Sequence, residues 1–168
     1  LIEITSKFFG TLRNVYNFFV LYSNQDNIDI GKVFVDYRKR PELDRWILSK
    51  YNRLIDDVTE EMNRYDHMKT VRKIQNFVVD DLSNWYIRRA RRRFWAEELT
   101  EDKKSVYATT YEILVGVAQL MAPFAPFISD EIYTDLTGAE SVHLSFFPKS
   151  DADLIDEKVE ERMDLVRD

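Results

Sequence analysis

Residues 42 to 115 contain neither glycine nor proline, although the chain has four of each. Both are depleted from helix interiors and frequent in turns, so so long a span without them predicts helices with few and short connections. The apolar pattern agrees. Ile4, Phe8, Leu12, Val15, Phe19 and Tyr22 recur every three or four residues and line one face of a first helix. Pro41 and Glu42 open a second, where proline suits the first turn and an acid suits the positive end of the dipole. Its stripe is Leu43, Ile47, Tyr51, Leu54, Val58, Met62 and Tyr65. Asp66 is placed to cap a third helix with Val71, Ile74, Val78, Leu82 and Trp85, and Thr100 a fourth with Val106, Ile113, Val117 and Leu120. The two prolines of MAPFAPF end that helix and start a fifth, which stops at Gly138. The stretch VHLSFF, within 142–147, reads as a short extended segment. The fold expected is all-α: an antiparallel helical bundle over residues 1–148, then an acidic helix over 149–168, free to project and leading toward a further C-terminal region.

Composition narrows the classes of function. With 45% hydrophobic and 14% aromatic residues the chain is too apolar for disorder. No run reaches the roughly 18 apolar residues of a membrane span. No cysteine is present, and His67 and His143 are far apart, so no metal site is expected. His143 beside Glu140 lacks a nucleophile and is read as structural or solvated. Asp130 and Glu131 are assigned to a helix start. No cofactor motif occurs. Without a signal-peptide pattern the expected location is the cytoplasm, and a start without methionine suggests a piece of a longer chain.

The formal net charge is -6, yet NWYIRRARRRFW, residues 84 to 95, carries five arginines and no acid between two tryptophans. At about 100° per residue the third helix's core stripe runs through Trp85 into Arg89, Arg92 and Arg93, while Arg88 and Arg91 widen the patch. Ile87, Ala90 and Phe94 then fall on another side. Either the helix bends near residues 83–85, or its second half leaves the core. One reading has the arginines solvate an exposed helix and pair with Asp80, Asp81, Glu97 and Glu98. The other has guanidinium forks and aromatic faces meet phosphates and unstacked bases. A smaller basic run, YRKRPE at 37–42, reads as a loop that either touches such a nucleic acid or is charged because it is solvated.

ELDRWILSKYNRLI, DDLSNWYIRRARRRFW, LMAPFAPFISDEIY and SVHLSFFP, in this order and spacing, resemble the anticodon-binding helical domain of the isoleucyl-tRNA synthetases, most of all the subtype of archaea and eukaryotes. The resemblance spans nearly the whole chain. It implies a parent isoleucine–tRNA ligase that uses ATP and Mg, with catalytic and editing domains elsewhere in the polypeptide. No glycine-rich or HIGH-like stretch is present, so this chain alone is expected to be non-catalytic and to need no cofactor. The implied partner is the tRNA anticodon stem-loop, with no membrane. The valine or leucine counterpart and a helical protein-interaction scaffold are the alternatives.

The resemblance also implies site residues. In the related methionine and valine enzymes, bases are met by residues four apart on one face of the first helix, which here match Gly10 and Asn14. Family members commonly read FWNTLWNVY where this chain reads FFGTLRNVY, so Arg13 and Asn14 become the expected contacts. Asn84 and Trp85 match the region where the methionine enzyme uses a tryptophan. Trp85 is thus both a packing anchor and a stacking platform in prospect. Arg88, Arg91 and Arg92 are expected on phosphate or sugar, positioning the RNA, while the asparagines discriminate bases.

Overall fold

The computed structural model describes residues 5–167, with side chains from residue 7 on. A π-helical turn, Thr5–Phe9, runs into α1, Gly10–Gln25. Next come α2, Glu42–Asn63, α3, His67–Asn76, a π-helical stretch, Phe77–Ile87, and α4, Arg88–Phe94. The chain is completed by α5, Glu101–Met121, α6, Pro126–Thr137, and α7, Glu157–Arg167. No strand occurs among the described residues. The all-α expectation holds.

Direction follows from side-chain pairs. Phe8 lies by Val71 and Ile74, and Phe18 against Phe94, so α1 runs parallel to the continuous α3–π–α4 helix. Tyr51 meets Phe77 while Asp44 meets Arg93, so α2 runs the opposite way, and α5 follows α2. Successive long helices are therefore antiparallel, with Leu12, Phe19, Trp46, Ile47, Val58, Leu82, Tyr107 and Val117 in the core they share. Gly116 permits the close approach of α5 to α2: a Cβ there would sit 1.6 Å from Tyr51 Oη.

The expected caps form. Asp66 accepts from the Lys69 N–H at 3.0 Å, Thr100 from the Lys103 N–H at 3.2 Å, and Gly138 ends α6 with φ 68°. Ile4 of the first stripe lies outside the described residues. Four local expectations differ. Tyr65 is exposed rather than in the α2 stripe, because the chain turns there with φ 60°. VHLSFF is not extended throughout: Val142–Leu144 is a 3-10 turn, capped by Ser141. Asp130 serves no helix start; its Oδ1 accepts from Ser141 Oγ at 2.7 Å and the Val142 N–H at 2.8 Å, tying that turn to α6. And α7 does not stand away from the bundle. It lies on α2, with Val159 1% exposed and Glu160 accepting from Ser49 Oγ and, at 2.8 Å, from Arg53 Nε.

Candidate nucleic-acid interface

The arginine helix is positioned by its π-helical stretch. Its buried line is Ile74, Val78, Leu82, Tyr86, Ala90 and Phe94, in unbroken steps of four. In an α-helix each such step drifts by about 40°, and five would carry Phe94 to the far side from Ile74. An i→i+5 turn takes more than four residues and drifts the other way. Eleven π-helical residues, Phe77–Ile87, absorb the difference. The helix thus neither leaves the core nor exchanges its apolar face for arginines.

This winding sorts the motif into four faces, and it corrects the stripe expected from the sequence. Tyr86, Ala90 and Phe94 are core. Asn84, Arg88 and Arg92 point outward and are exposed. Arg91 sits on the flank toward α1, its guanidinium 5.9 Å from the Phe18 ring centre. Trp85, Arg89 and Arg93 occupy the opposite flank, toward α2 and α7.

On that opposite flank, Arg93 is a structural ion rather than a ligand for RNA. It grips the fully buried Asp44 with two bonds, 2.5 and 2.7 Å, and reaches Asp102 at 3.0 Å. Asp44 accepts also from Tyr86 Oη at 2.9 Å and Ser105 Oγ at 2.6 Å. Burial lowers the affinity of Arg93 for its proton, but the Asp44 bond and charge outweigh that and leave its pKa raised. Burial, with the Asp44 charge adding to it, pushes the Tyr86 hydroxyl well up. Trp85 is half-buried, with the Arg89 guanidinium 3.8 Å and that of Arg167 5.3 Å from its ring centre. Its indole N–H is buried without an acceptor. The ring is thus already overlaid by two cations.

The acids expected to neutralise the motif do not. Asp81 pairs with Arg167, and among the described residues Arg88, Arg89, Arg91 and Arg92 form no ion pair. A row of uncompensated guanidinium groups remains, supported from behind by core.

Across from Arg91, α1 exposes Asn14, one turn before Phe18. Because the two helices are parallel, Asn14 lies before the level of Arg91. Arg13 turns to the other flank, toward α6, 3.9 Å from Glu131. With Gly10, Phe9, Phe124 and Phe127 it borders a separate, largely apolar groove. Asn14, Arg88, Arg91 and Arg92 are thus brought onto one surface with Asn84, whereas Trp85 and Arg13 flank it on opposite sides. In YRKRPE, Arg40 is buried: it donates to Val35 O at 2.9 Å and Thr109 Oγ1 at 3.0 Å and pairs with Glu112 at 2.6 Å, pinning the α1–α2 connection.

The sequence reading missed Phe18 altogether and named Arg89 only as part of the patch. Phe18 supports Arg91, and Arg89 covers Trp85. Only a steps-of-four pattern along Ile74–Phe94 would have revealed these faces, and it is visible once the π winding is known.

A helical bundle that exposes a row of arginines without ion pairs among the described residues presents a surface suited to a polyanion, and comparison names the class. The chain belongs to the family described as the anticodon-binding domain of tRNA ligase, which matches residues 44–168. Three of its relatives bear the same name. It is 48% identical over 98% of its length to the isoleucine–tRNA ligase of Porphyromonas gingivalis, and 48% over 99% to that of Bacteroides thetaiotaomicron. The isoleucine–tRNA ligase of Clostridium tetani is 44% identical over 96%. The chain spans 15% of the length of the first two relatives and 16% of the third. These relatives are bacterial and lend no support to the archaeal and eukaryotic subtype suggested by the motifs. No helix among the described residues is long and apolar enough to cross a membrane.

Proposed function

We propose that the α1–α4 surface binds the anticodon stem-loop of a tRNA, as one domain of a cytoplasmic isoleucine–tRNA ligase. The observation that carries this reading is the exposed row Asn84, Arg88 and Arg92, with Arg91 beside it, left without acidic partners among the described residues in a protein of net charge -6. An unpaired guanidinium row held on a rigid helix suits phosphate oxygens, which accept its forked bonds. Arg88, Arg91 and Arg92 position the RNA backbone. Asn14 and Asn84 offer the amide donors and acceptors that read base edges.

Trp85 and Arg13 act at the margins. Trp85 holds Arg89 over its face and so extends the cationic surface sideways, and a base reaches its ring by displacing Arg89 or Arg167. Arg13 meets the RNA on the α6 side by releasing its long, exposed pair with Glu131. Catalytic and editing domains of the same polypeptide, with ATP and Mg at the catalytic centre, supply the chemistry, and residues 149–168 lead from the bundle to the following region. This chain then places the tRNA and transfers nothing itself.

A filter-binding titration of an anticodon stem-loop across salt tests the reading. Replacing Arg88 or Arg92 by Ala is expected to weaken cognate and non-cognate loops alike. The slope of log affinity against log salt should fall by about 0.7 to 0.9 per lost phosphate contact. Asn14→Ala should instead narrow the gap between loops. Unchanged affinity and slope in the arginine variants would leave the row as a solvated helix face, as in a protein-binding scaffold.

A further inference from the structure

The helix α7, Glu157–Arg167, is held on the bundle mainly by charge. Its apolar contacts are the buried Val159 and the half-buried Met163, while Leu165 and Val166 stay 80% and 63% exposed. Against α2 it sets Glu157 and Glu160 on Arg53 at 3.3 and 2.8 Å, and Arg162 on Glu42 at 2.6 Å. Glu42, Glu157 and Arg162 are exposed, and pairs so placed hold weakly and give way to salt. A helix of 11 residues does not persist in water by itself. Docking and winding of α7 are therefore one marginal local equilibrium, set apart from the core helices. The far end of α7 reaches the arginine helix. Arg167 pairs with Asp81 and lies 5.5 Å from the Trp46 ring centre and 5.3 Å from that of Trp85. In this docked arrangement the buried indole N–H of Trp85 finds no acceptor among the described residues, although Asp81 stands one turn earlier on the same helix. An unmet buried donor counts against the docked state.

We propose that α7 is a reversible strap across the Trp85 flank of the arginine surface, closed when docked and lifted when RNA binds. The proposal rests on the RNA-binding reading above and adds an autoinhibitory contact to it. Lifting α7 takes Arg167 off the Trp85 ring and frees the Asp81 carboxylate to accept the indole N–H. It also carries away a helix with four acids against three bases, which opposes a polyanion while docked. RNA therefore binds the lifted form more tightly, and by linkage its binding lifts α7.

Hydrogen exchange and stem-loop titration of the full-length protein test the strap together. Without RNA, the amides of residues 157–167 should exchange far faster than those of α2 and α5. With an anticodon stem-loop bound they should exchange faster still, while those of α1 and α4 slow. Val159→Ser combined with Met163→Ser lifts α7 without changing charge. That variant should lose protection in α7, keep it in α2 and α5, and bind the stem-loop several-fold more tightly. Damage to the fold would weaken binding, so a gain is a readout that a merely structural role does not give. Leu165→Ser, on the solvent side, should alter neither. If the lifted variant binds no more tightly than the unaltered protein, or if α7 keeps its protection in that variant or is as protected as α5 with and without RNA, the strap is overturned and the arginine surface stands. If the unaltered protein fails to bind the stem-loop, the RNA reading falls and the strap falls with it.

Discussion

Asp44 shows how a charge can be carried inside this bundle. It is fully buried and makes four hydrogen bonds, two from Arg93 and one each from Tyr86 and Ser105. Removing one member of such a set is costly because the others are left desolvated and unpaired. Asp44→Ala is therefore expected to destabilise the chain by about 3 to 5 kcal/mol, read from denaturant unfolding, whereas Arg92→Ala should change stability by less than about 0.5 kcal/mol. Gly116 gives a prediction with an unusual sign. Alanine favours helix by about 1 kcal/mol over glycine, yet the new methyl would overlap the buried Tyr51 ring, whose Cζ lies 2.4 Å from it. Gly116→Ala should lower stability by about 1 to 3 kcal/mol net, and a rise in melting temperature would refute that packing. From the sequence, Asp44 carried no assignment and Arg93 read as one arginine of the face that continues the helix's stripe. Nothing local distinguishes a buried ion from a solvated one, since the partner lies 49 positions away.

Element boundaries were the most legible part of the chain, because caps act through residues only three or four apart. Thr100→Ala should cost about 1 kcal/mol, measured by thermal unfolding. Asp66 adds a pH test. Backbone and side-chain bonds from Lys69 hold its carboxyl below the ordinary 3.8. A lowered folded value means that its stabilisation is present above pH about 4 and is lost as pH falls through the folded value. The stability difference between the protein and Asp66→Ala should therefore close on acidification. At the alkaline end, Tyr16 donates to Asp135 at 2.8 Å and ties α1 to α6. Burial first, then the Asp135 bond, push its hydroxyl from 10.0 to about 12. A raised folded value gives stabilisation that is complete below pH 10 and is lost as pH rises through about 12. Tyr16→Phe should remove that dependence, and tyrosinate absorbance should lose a component that titrates near pH 12. The π winding of Phe77–Ile87 was the illegible element. A 3.6-residue period was the natural assumption for a Gly- and Pro-free helix, and under it Trp85 and Arg93 took places that belong to Tyr86 and Phe94.

At the scale of the molecule, charge is polarised. Residues 150 to 168 hold eight acids against three bases, while four unpaired arginines stand on α4. Such a field draws a polyanion to the arginines of α4, while the acids of α7, which packs beside the Trp85 flank, oppose its approach from that side. Neutralising two exposed α7 acids, Glu161→Gln with Asp164→Asn, should speed RNA association at low ionic strength. The gain should vanish near 0.15 M salt, where screening acts within about 8 Å. Stopped-flow fluorescence would show whether it does. The sequence by itself determined the helical class, the order of helices, their caps and the presence of an arginine cluster, because these depend on composition and on neighbours within a turn or two. Tertiary structure decided which arginine is which. The long helix unwinds into π turns because α1, α2 and α5 demand Ile74, Val78, Leu82, Tyr86, Ala90 and Phe94 on one side, and that burial outweighs the preference for α winding. Arg93 goes inward to Asp44, Arg89 lies over Trp85, Arg91 leans on Phe18, and Arg88 and Arg92 are left facing water.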